Sequence, residues 1–240
     1  MINPYKNSNL SHKKQVTLMF NNIAHSYDFL NHILSFNIDK IWRKKAIKLI
    51  KKHKPHTILD IATGTGDFAI LAAKKLSPHT IIGIDISEKM LEKGIEKVQK
   101  KKLSSVITLQ KGDSENLDFS DNYFDASLTG FGVRNFENLQ AGLEENYRVL
   151  KNDGIAVILE FSKPKHFPIK QLYNIYFEYV LPRIGKIISK DFNAYKYLPE
   201  SVENFPYGNG FIKILQNIGF KTIIHKKLSF GIASLYICTK

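Results

Sequence analysis

Residues 57–66 read Thr-Ile-Leu-Asp-Ile-Ala-Thr-Gly-Thr-Gly, and this stretch decides the fold of the 240-residue chain. A short apolar run breaks into a loop with Gly64 and Gly66, an amphipathic stretch over 67–76 follows, and a second apolar run ends at the carboxylate Asp85. Strand, glycine turn, helix, strand and acid, in this order, are typical of an open parallel sheet that holds the adenosine half of a cofactor. Glycine lets the backbone approach such a ligand closely, and the acid can accept hydrogen bonds from both ribose hydroxyls.

Two cofactors fit this pattern, and they imply different chemistry. The stretch from Gly64 to Ala69 also satisfies the dinucleotide pattern G-x-G-x-x-A, so a nicotinamide enzyme remains an alternative. Asp60 stands four residues before Gly64, and a carboxylate there can reach the ammonium group of a methionine moiety, whereas it would only repel a pyrophosphate. The sequence therefore favours S-adenosylmethionine. The candidate cofactor-binding residues are Asp60, Gly64, Thr65, Gly66 and Asp85.

The rest of the core alternates short apolar runs with amphipathic stretches, which is typical of an α/β domain. The predicted strands are 57–62, 80–85, 105–110, 123–128 and 154–161, and the predicted helices between them are 67–76, 87–101 and 137–150. A helix over 201–219 precedes two alternating runs, 220–226 and 230–238, which predict a terminal antiparallel pair. Five parallel strands and such a pair predict a class I methyltransferase fold, Rossmann-like, with a seven-stranded sheet of order 3-2-1-4-5-7-6.

Two helical regions flank this core. Residues 1–55 predict an N-terminal helical cap, followed by the methyltransferase domain over 56–240. At about 165–200 the alternation stops, which predicts a helical insertion after the fifth strand; 168–198 alone holds seven Tyr or Phe residues. The aromatic insertion suits a flat apolar acceptor, and a plain helical core is the alternative.

The chain is basic, with a formal net charge of +13. Lysines scattered over a solvated surface explain this charge as well as an anionic partner does. Basic residues are densest over 40–54, and on a helix the apolar residues of this region share one stripe: Ile38, Ile41, Trp42, Leu49 and Ile50. The segment predicts a basic amphipathic helix. This helix either packs on the domain with its basic face exposed to solvent or lies against a membrane surface.

Cysteine usage and hydropathy exclude several classes of protein. Cys238 is the one cysteine of the sequence, so no disulfide can form within the chain, and no Cys/His spacing of a zinc site is present. The polar stretch 1–14 lacks the apolar region of an export signal, and no apolar run approaches the roughly 18–20 residues of a membrane span. We therefore expect a cytoplasmic protein without a metal site, which contacts a membrane peripherally, at its inner face, if at all.

Two further candidates follow the third predicted strand. In an open α/β sheet the ligand lies beyond the carboxyl ends of the strands, so Asp113 is expected to meet the adenine amino group, with the backbone of Ser114 close to the ring. The alternative for Asp113 is a turn residue after a strand.

The candidate catalytic residues follow the fourth and fifth strands. Residues 130–135 read Gly-Phe-Gly-Val-Arg-Asn, and a loop at this position faces the methyl group. Because methyl transfer requires alignment and a nucleophilic acceptor, Arg134 can stabilise a phenolate and Asn135 can orient a hydroxyl. A surface salt bridge is the alternative for Arg134. Glu160 ends the fifth strand and is either a base or an anchor for a loop.

Several stretches resemble signatures of the ubiquinone/menaquinone C-methyltransferase family, over about residues 18 to 238. They read Tyr27-Asp-Phe-Leu-Asn31 with Ser35 and Trp42-Arg43, Phe131-Gly-Val-Arg-Asn135, Leu159-Glu-Phe-Ser-Lys-Pro164, Tyr197-Leu-Pro-Glu-Ser201, Phe205-Pro206 and Gly219-Phe220. By these motifs the chain is identified as a member of the family. Asn37 stands where the family often has glycine, and asparagine is among the residues that tolerate a positive φ.

The resemblance implies that a methyl group moves from S-adenosylmethionine to a ring carbon of a reduced, polyprenylated quinone. By match to the family, Thr65, Asp85, Asp113 and Ser114 bind the cofactor. Gly130 stands where some members have a cofactor-binding serine, and in this respect the chain resembles members that make menaquinone only. The implied acceptor is polyprenylated demethylmenaquinol, with a benzoquinol precursor of ubiquinone as the alternative.

The resemblance also bears on partners. Because the implied substrate carries a lipid tail, we expect the basic helix and the aromatic insertion to contact a membrane surface. A nucleic-acid partner is not expected, because the sequence has no base-methylation motif of the Asn-Pro-Pro-Tyr type, no cysteine pair and no recognised RNA-binding module. An NAD-dependent oxidoreductase, an RNA methyltransferase and a non-catalytic binding protein remain as alternatives, and a homodimer is compatible with the sequence.

Overall fold

A computed structural model describes residues 2–6, 8–28, 35, 37–180, 183 and 192–240. The motif that begins at Tyr27 therefore lies partly outside the described residues, as does part of the aromatic insertion. Over these residues, no helix is both long enough and apolar enough to cross a membrane.

A seven-stranded sheet forms the centre of the molecule. Its strands are β1 (Thr57–Ile61), β2 (Thr80–Asp85), β3 (Ile107–Lys111), β4 (Phe124–Gly130), β5 (Leu150–Phe161), β6 (Lys221–Leu228) and β7 (Ala233–Thr239). They run in the order β3-β2-β1-β4-β5-β7-β6, with β7 antiparallel to both neighbours and the other pairs parallel. The predicted fold class and strand order are confirmed. The order reverses between β1 and β4, which is the point where ligands bind in such sheets.

Helices cover the sheet. The described ones are α1 (His12–Ile23), α2 (Ile38–Ile50), α3 (Asp67–Leu76), α4 (Glu88–Lys100), α5 (Leu139–Val149), α6 (Ile169–Ile175), α7 (Phe192–Asn204) and α8 (Asn209–Ile218). A π-helical turn, Tyr176–Val180, continues α6, and a 3₁₀ turn, Ser229–Gly231, precedes β7. The start of α4 is fixed by Ser87, whose Oγ accepts a hydrogen bond from the N–H of Met90 at 3.3 Å, as expected of an N-cap.

The predicted helix over 201–219 is wrong, because the structure divides it into α7 and α8. Pro206 disfavours helical geometry at Phe205, and Gly208 adopts φ 62° and ψ −131°, a region that is essentially restricted to glycine. The N–H of Gly208 then donates to the hydroxyl of Tyr236 at 2.7 Å. The free backbone N–H at the break is thus satisfied by a side chain of β7.

The basic helix α2 buries the predicted stripe except for Ile41, since Ile38 and Leu49 are partly buried against the core beside Trp42 and Ile50. Trp42, Ala46 and Ile50 are buried, at the i, i+4, i+8 spacing of one helix face. Ile41 lies about 100° around the helix from Trp42 and is 61% exposed, so its assignment to the apolar stripe was wrong. The helix begins after Asn37, whose φ is 58°, in agreement with the expected tolerance of asparagine.

Apolar side chains cover both faces of the sheet, as a parallel sheet requires. One face packs against α2, α3 and α4, and the other against α5 and α8. A smaller cluster joins Val16 and Met19 of α1 to Met90 of α4 and Tyr197 of α7. Because Met90 follows shortly after β2, this cluster holds α1 over the carboxyl edge of the sheet.

Candidate active site

The glycine loop after β1 is tied to the end of β2. Gly64 and Gly66 have φ values of +56° and +77°, a left-handed conformation that glycine adopts without strain. The N–H of Gly64 donates to Oδ2 of Asp85 at 2.8 Å, and the N–H of Ser87 donates to Oδ1 at 2.9 Å. Burial raises the pKa of the Asp85 carboxyl, and these hydrogen bonds oppose the rise. Asp85 therefore fixes both the loop and the start of α4.

A small cavity of about 60 Å³ opens beside this loop. Apolar side chains form much of its wall, and we name it the polar cavity after the carboxylates that also line it. Five of the predicted site residues line it: Gly64, Asp85, Asp113, Ser114 and Asn135. The fold thus brings together residues that follow β1, β2, β3 and β4, at the edge where the sheet order reverses.

Helix α1 covers the polar cavity and adds a cation to it. Nζ of Lys13 donates to Oδ2 of Asp113 at 2.7 Å and to Oε2 of Glu115 at 3.0 Å. The N–H of Glu115 donates to Oδ1 of Asp113 at 3.0 Å, so Asp113 also makes the turn contact that was its alternative interpretation. Lys13 has no signal in the sequence, because it lies 100 positions from Asp113.

Asp60 lies behind the glycine loop, outside the residues that line the polar cavity. Its Oδ2 accepts hydrogen bonds from Oγ1 of Thr63 at 2.6 Å and from the N–H of Ala69 at 3.0 Å. The residue is 1% exposed, and burial raises the pKa of its carboxyl to about 7. Asp60 orders the loop against the start of α3, and its contact with an ammonium group stays a prediction.

Thr65 and Gly66 also shape the loop without lining the polar cavity. Oγ1 of Thr65 donates to Oδ1 of Asp28 at 2.5 Å and accepts from Nζ of Lys97 at 3.0 Å. A Cβ on Gly66 would lie 3.3 Å from Leu109, so a larger residue would press on β3. Their direct contact with a cofactor also stays a prediction.

A second, apolar cavity of about 430 Å³ adjoins the polar one, and this size is typical of small-molecule sites. Phe20, Tyr27 and Phe131 line both cavities. Tyr173 and Phe177, from the aromatic insertion, form part of its wall. The described part of the insertion therefore lines a cavity and is more than a plain helical core.

Arg134 lines the apolar cavity and is held by Glu160. Its Nη1 donates to Oε1 of Glu160 at 2.7 Å and to the carbonyl of Phe131 at 2.6 Å. The two side chains are 7% and 0% exposed, so the surface salt bridge that was the alternative for Arg134 is excluded. Burial raises the pKa of Glu160, and the charge of Arg134 opposes this rise. Glu160 lines neither cavity, so the geometry favours an anchor over a base.

Asn135 and Tyr197 connect the two cavities. Asn135 lines the polar cavity, and its Oδ1 accepts a hydrogen bond at 3.0 Å from the hydroxyl of Tyr197, which lines the apolar one. Burial raises the pKa of Tyr197 to about 12, so the phenol stays protonated and donates. The sequence analysis did not assign Tyr197 to the site. Its place in the C-terminal motif Tyr197–Ser201 was the signal that could have indicated a role there.

A second arginine, Arg43, also lines the apolar cavity. It forms an ion pair with Asp39, one turn earlier in α2. Its guanidinium carbon lies 5.3 Å from the ring centroid of Phe131, while that of Arg134 lies 5.4 Å from Phe161. The sequence analysis counted Arg43 among the basic residues of 40–54 and did not assign it to the site, although its i, i+4 spacing from Asp39 was a visible signal of an ion pair.

A family profile described as the ubiE/COQ5 methyltransferase family matches residues 8–240. The chain belongs to this family. Its resemblance to the quinone C-methyltransferases, first seen in separate motifs, is confirmed over almost the whole length, and with it the class of enzyme.

Curated relatives of the family match 95% to 100% of the chain. The demethylmenaquinone methyltransferase of Bacteroides fragilis is 49% identical over 239 residues, which cover 100% of this chain and 97% of the relative. The protein of the same name from Porphyromonas gingivalis is 42% identical, with coverage of 100% and 98%. The ubiquinone/menaquinone biosynthesis C-methyltransferase UbiE of Geotalea uraniireducens is 45% identical, with coverage of 95% and 97%.

Solved structures share the fold of this family member at low sequence identity. A putative S-adenosylmethionine-dependent methyltransferase from Methanococcus maripaludis is 20% identical, with a TM-score of 0.61 and coverage of 98% and 96%. The [4+2]-cyclase SpnF is 14% identical, with a TM-score of 0.67 and coverage of 96% for both chains. Since a cyclase and a methyltransferase share the fold, the chemistry has to be argued from the site.

The residues of the polar cavity fit the adenosine half of S-adenosylmethionine. A Cβ built on Gly64 would have one neighbour within 4 Å, which is Cε1 of Tyr27 at 4.0 Å. The space in front of Gly64 is therefore open, and a side chain there would fill the cavity. The carboxylates of Asp85 and Asp113 supply acceptors for hydroxyl and amino groups. This set of acceptors therefore suits a ligand that is rich in hydrogen-bond donors.

Asp60→Asn is expected to flatten the pH dependence of stability between about pH 4 and 7. The pKa of Asp60 is raised from 3.8 to about 7 in the folded protein, so the folded chain keeps this proton while the unfolded chain loses it. Stability therefore falls as the pH rises through this window, by roughly 4 kcal/mol at most. Urea unfolding at pH 5 and 7.5 measures the slope, with the exposed Asp118→Asn as control. Equal slopes in the wild type and Asp60→Asn would contradict this expectation.

Proposed function

We propose that this methyltransferase moves a methyl group from S-adenosylmethionine to a ring carbon of demethylmenaquinol, which gives menaquinol. The observation that carries the proposal is the contact between the two cavities at Phe20, Tyr27 and Phe131. The polar cavity suits an adenosine group, and the apolar cavity with its buried arginines suits a flat ring with oxygen substituents. The names of the relatives at 49% and 42% identity support this acceptor.

In this proposal the polar cavity holds the cofactor. Asp85 accepts hydrogen bonds from the ribose hydroxyls, while Asp113 and Ser114 contact the adenine. The bound cofactor supplies an electrophilic methyl group on a positively charged sulfur. The cavity measures about 60 Å³, and α1 contributes Lys13, Val16 and Phe20 to its wall; we expect this wall to open when the cofactor binds.

Arg134 supplies the positive charge that activates the acceptor. Its Nη1 is used by Glu160 and the carbonyl of Phe131, and its Nε by Ser201. In the part of the chain that the structure describes, no hydrogen bond occupies Nη2, so this nitrogen can donate to an oxygen in the apolar cavity. A cation there favours the deprotonated quinol hydroxyl, whose charge spreads onto the neighbouring ring carbon.

Asn135 orients the same oxygen, directly or through a water molecule. Its Oδ1 accepts from Tyr197, which leaves the amide N–H₂ group of Asn135 to donate toward the acceptor. Tyr197 is thus a positioning residue for Asn135, as Glu160 is for Arg134. After the new carbon–carbon bond has formed, the ring carbon loses its proton and the ring becomes aromatic again.

A benzoquinol is the second candidate acceptor, because the relative from Geotalea uraniireducens is named for both quinones. The test gives the enzyme S-adenosylmethionine and an equal mixture of short-tailed demethylmenaquinol and the matching benzoquinol, and mass spectrometry follows both products. We expect the naphthoquinol to react roughly tenfold faster or more, since its fused ring buries more apolar surface. Equal rates would support the second candidate, and methylation of the benzoquinol alone would contradict the proposal.

The proposed place of action is the cytoplasmic face of a membrane. A polyprenyl tail keeps the acceptor in lipid, whereas S-adenosylmethionine is charged and comes from the aqueous side. The enzyme therefore has to bring an apolar cavity to the lipid surface while its polar cavity stays in water.

A further inference from the structure

Two segments beside the apolar cavity carry large apolar side chains that are exposed. In α2, Trp42 lines the cavity, while its neighbour Ile41 is 61% exposed. In the turn before β7, Ile232 lines the cavity, while Phe230 is 80% exposed. Each segment thus presents apolar side chains both to the cavity and to the outside.

A third segment, at the start of the aromatic insertion, repeats this arrangement. Ile169 lines the cavity, and Phe167, two residues before it, is 80% exposed. Leu172 lines the cavity and is nevertheless 60% exposed, so the cavity opens beside it. We name the four exposed side chains the apolar rim: Ile41, Phe167, Leu172 and Phe230.

Direct contacts place these segments next to one another. Nε1 of Trp42 donates to Oγ of Ser229 at 2.9 Å, which ties the turn before β7 to α2. Oγ of Ser162 donates to the carbonyl of Gly231 at 2.8 Å, and a Cβ on Gly231 would lie 3.6 Å from Cα of Pro164. The turn therefore sits between α2 and the segment that leads to Phe167.

The turn that carries the exposed Phe230 has an unfavourable backbone conformation. Ser229, Phe230 and Gly231 have φ values of 44°, 58° and 96°, and the first two are left-handed without being glycine. Such a conformation is unfavourable for an aromatic residue. Phe230 is thus exposed in a turn whose backbone geometry is restricted.

Unpaired lysines stand next to the apolar rim. Lys44, Lys45 and Lys48 follow Ile41 at three, four and seven positions, so all four share the exposed face of α2. Among the residues described, no carboxylate lies within 4 Å of these three lysines. Apolar side chains flanked by uncompensated cations are typical of surfaces that bind anionic lipid.

We propose that the apolar rim, together with Lys44, Lys45 and Lys48, docks the enzyme on an anionic lipid bilayer. Phe167 and Phe230 then insert between the headgroups, and the lysines contact lipid phosphates. In this orientation the opening of the apolar cavity beside Leu172 faces the acyl chains. The part of the inference that concerns tail entry rests on the proposed function, whereas the binding surface itself does not.

A second copy of the chain is a poorer occupant of this surface. Two copies that met through the rim would bring two sets of Lys44, Lys45 and Lys48 together, in a chain that already carries a net charge of +13. Like charges brought together at an interface disfavour association. An anionic bilayer complements the same lysines.

The test is sedimentation of the full chain with vesicles of phosphatidylcholine that contain 30% phosphatidylglycerol, beside vesicles of phosphatidylcholine alone. The triple variant Lys44→Gln, Lys45→Gln, Lys48→Gln removes the cations, and Phe167→Ser with Phe230→Ser removes the apolar tips. The matched charge control is Lys100→Gln, Lys101→Gln, Lys102→Gln, three exposed lysines at the far end of α4. The matched apolar control is Ile95→Ser, which is 39% exposed on the same helix.

We expect the wild type to bind the anionic vesicles and to bind the neutral ones at least tenfold more weakly. The triple variant at the rim is expected to lose about 10²-fold in affinity, since each lysine near an anionic surface contributes roughly fivefold. The affinity of the double Phe variant for anionic vesicles is expected to fall tenfold or more. The affinities of both control variants are expected to stay within about twofold of that of the wild type. No binding by the wild type at low salt, or an equal loss in the control triple, would overturn the proposal. Self-association that the rim variants abolish, without vesicle binding, would overturn it as well.

Activity is measured separately so that the two proposals can fail independently. With a water-soluble, short-tailed quinol and no vesicles, the double Phe variant is expected to turn over like the wild type, because neither side chain lines a cavity. Vesicle binding without methyl transfer would uphold the docking surface and refute the acceptor. Methyl transfer without vesicle binding would uphold the acceptor and refute the docking surface.

Discussion

Replacement of Arg134 by methionine is expected to lower kcat for methyl transfer by about 10²–10³, because the variant loses the cation that stabilises the quinol oxyanion. The free energy of unfolding is expected to fall by about 3–5 kcal/mol as well, since Glu160 is then left as a buried charge without its partner. The affinity for S-adenosylhomocysteine should stay within about twofold, because Arg134 does not line the polar cavity. Single-turnover kinetics, urea unfolding and calorimetry measure the three effects.

The double variant Arg134→Met, Glu160→Gln separates catalysis from stability. Without either charge the buried pair is neutral, so most of the lost stability should return. Turnover should stay low, because the oxyanion still has no cation. If the double variant regained the activity of the wild type, Arg134 would have no role beyond packing. Arg134→Lys adds a test of geometry, since lysine keeps the charge but lacks the planar fork.

Replacement of Asp85 by alanine is expected to weaken S-adenosylhomocysteine binding by about 10²- to 10⁴-fold, since two hydrogen bonds from ribose hydroxyls to a charged group contribute roughly 1.5–3 kcal/mol each. The change also removes the acceptor for the N–H groups of Gly64 and Ser87, so the glycine loop loses its anchor. Calorimetric titration with S-adenosylhomocysteine gives the affinity directly.

Asp85→Asn and Asp118→Ala are the controls for this experiment. Asparagine keeps the size of Asp85 but brings an N–H₂ group against one of the two backbone donors, so an intermediate loss is expected. Asp118 is exposed, and its loss should leave the affinity unchanged. An Asp85→Ala variant that is folded by circular dichroism and still binds like the wild type would remove Asp85 from the cofactor site.

Local patterns were sufficient to predict the sheet. Each signal reports on neighbouring residues: the run that ends in Gly64 and Gly66, the acid Asp85, and the alternation of apolar and amphipathic stretches. Together they indicate the fold class, and the strand order then follows from the usual architecture of that class. The break at 205–208 was missed although Pro206 and Gly208 are visible in the sequence, because the apolar periodicity on either side reads as one continuous helix.

The site was predicted best near the ends of strands. Asp85 and Asp113 line the polar cavity where a cofactor site was expected, because strand ends meet at one edge of a parallel sheet. Asn135, which was expected to act on the acceptor, lines the same cavity. Contacts over long sequence distances were not predictable: Lys13 reaches Asp113 across 100 positions, and the hydroxyl of Tyr197 reaches Asn135 across 62. Such pairings depend on how helices pack over the sheet, and no local pattern encodes this.

The most direct test of the central claim is the position of the transferred methyl group. The wild-type enzyme is given S-adenosylmethionine with a deuterated methyl group and reduced short-tailed demethylmenaquinol, and mass spectrometry with NMR locates the label. A flat quinol held in the apolar cavity by Arg134 and Asn135 predicts that the label lies on the ring carbon beside the oxygen. A label on the oxygen, or no transfer by an enzyme that binds S-adenosylhomocysteine tightly, would contradict the account.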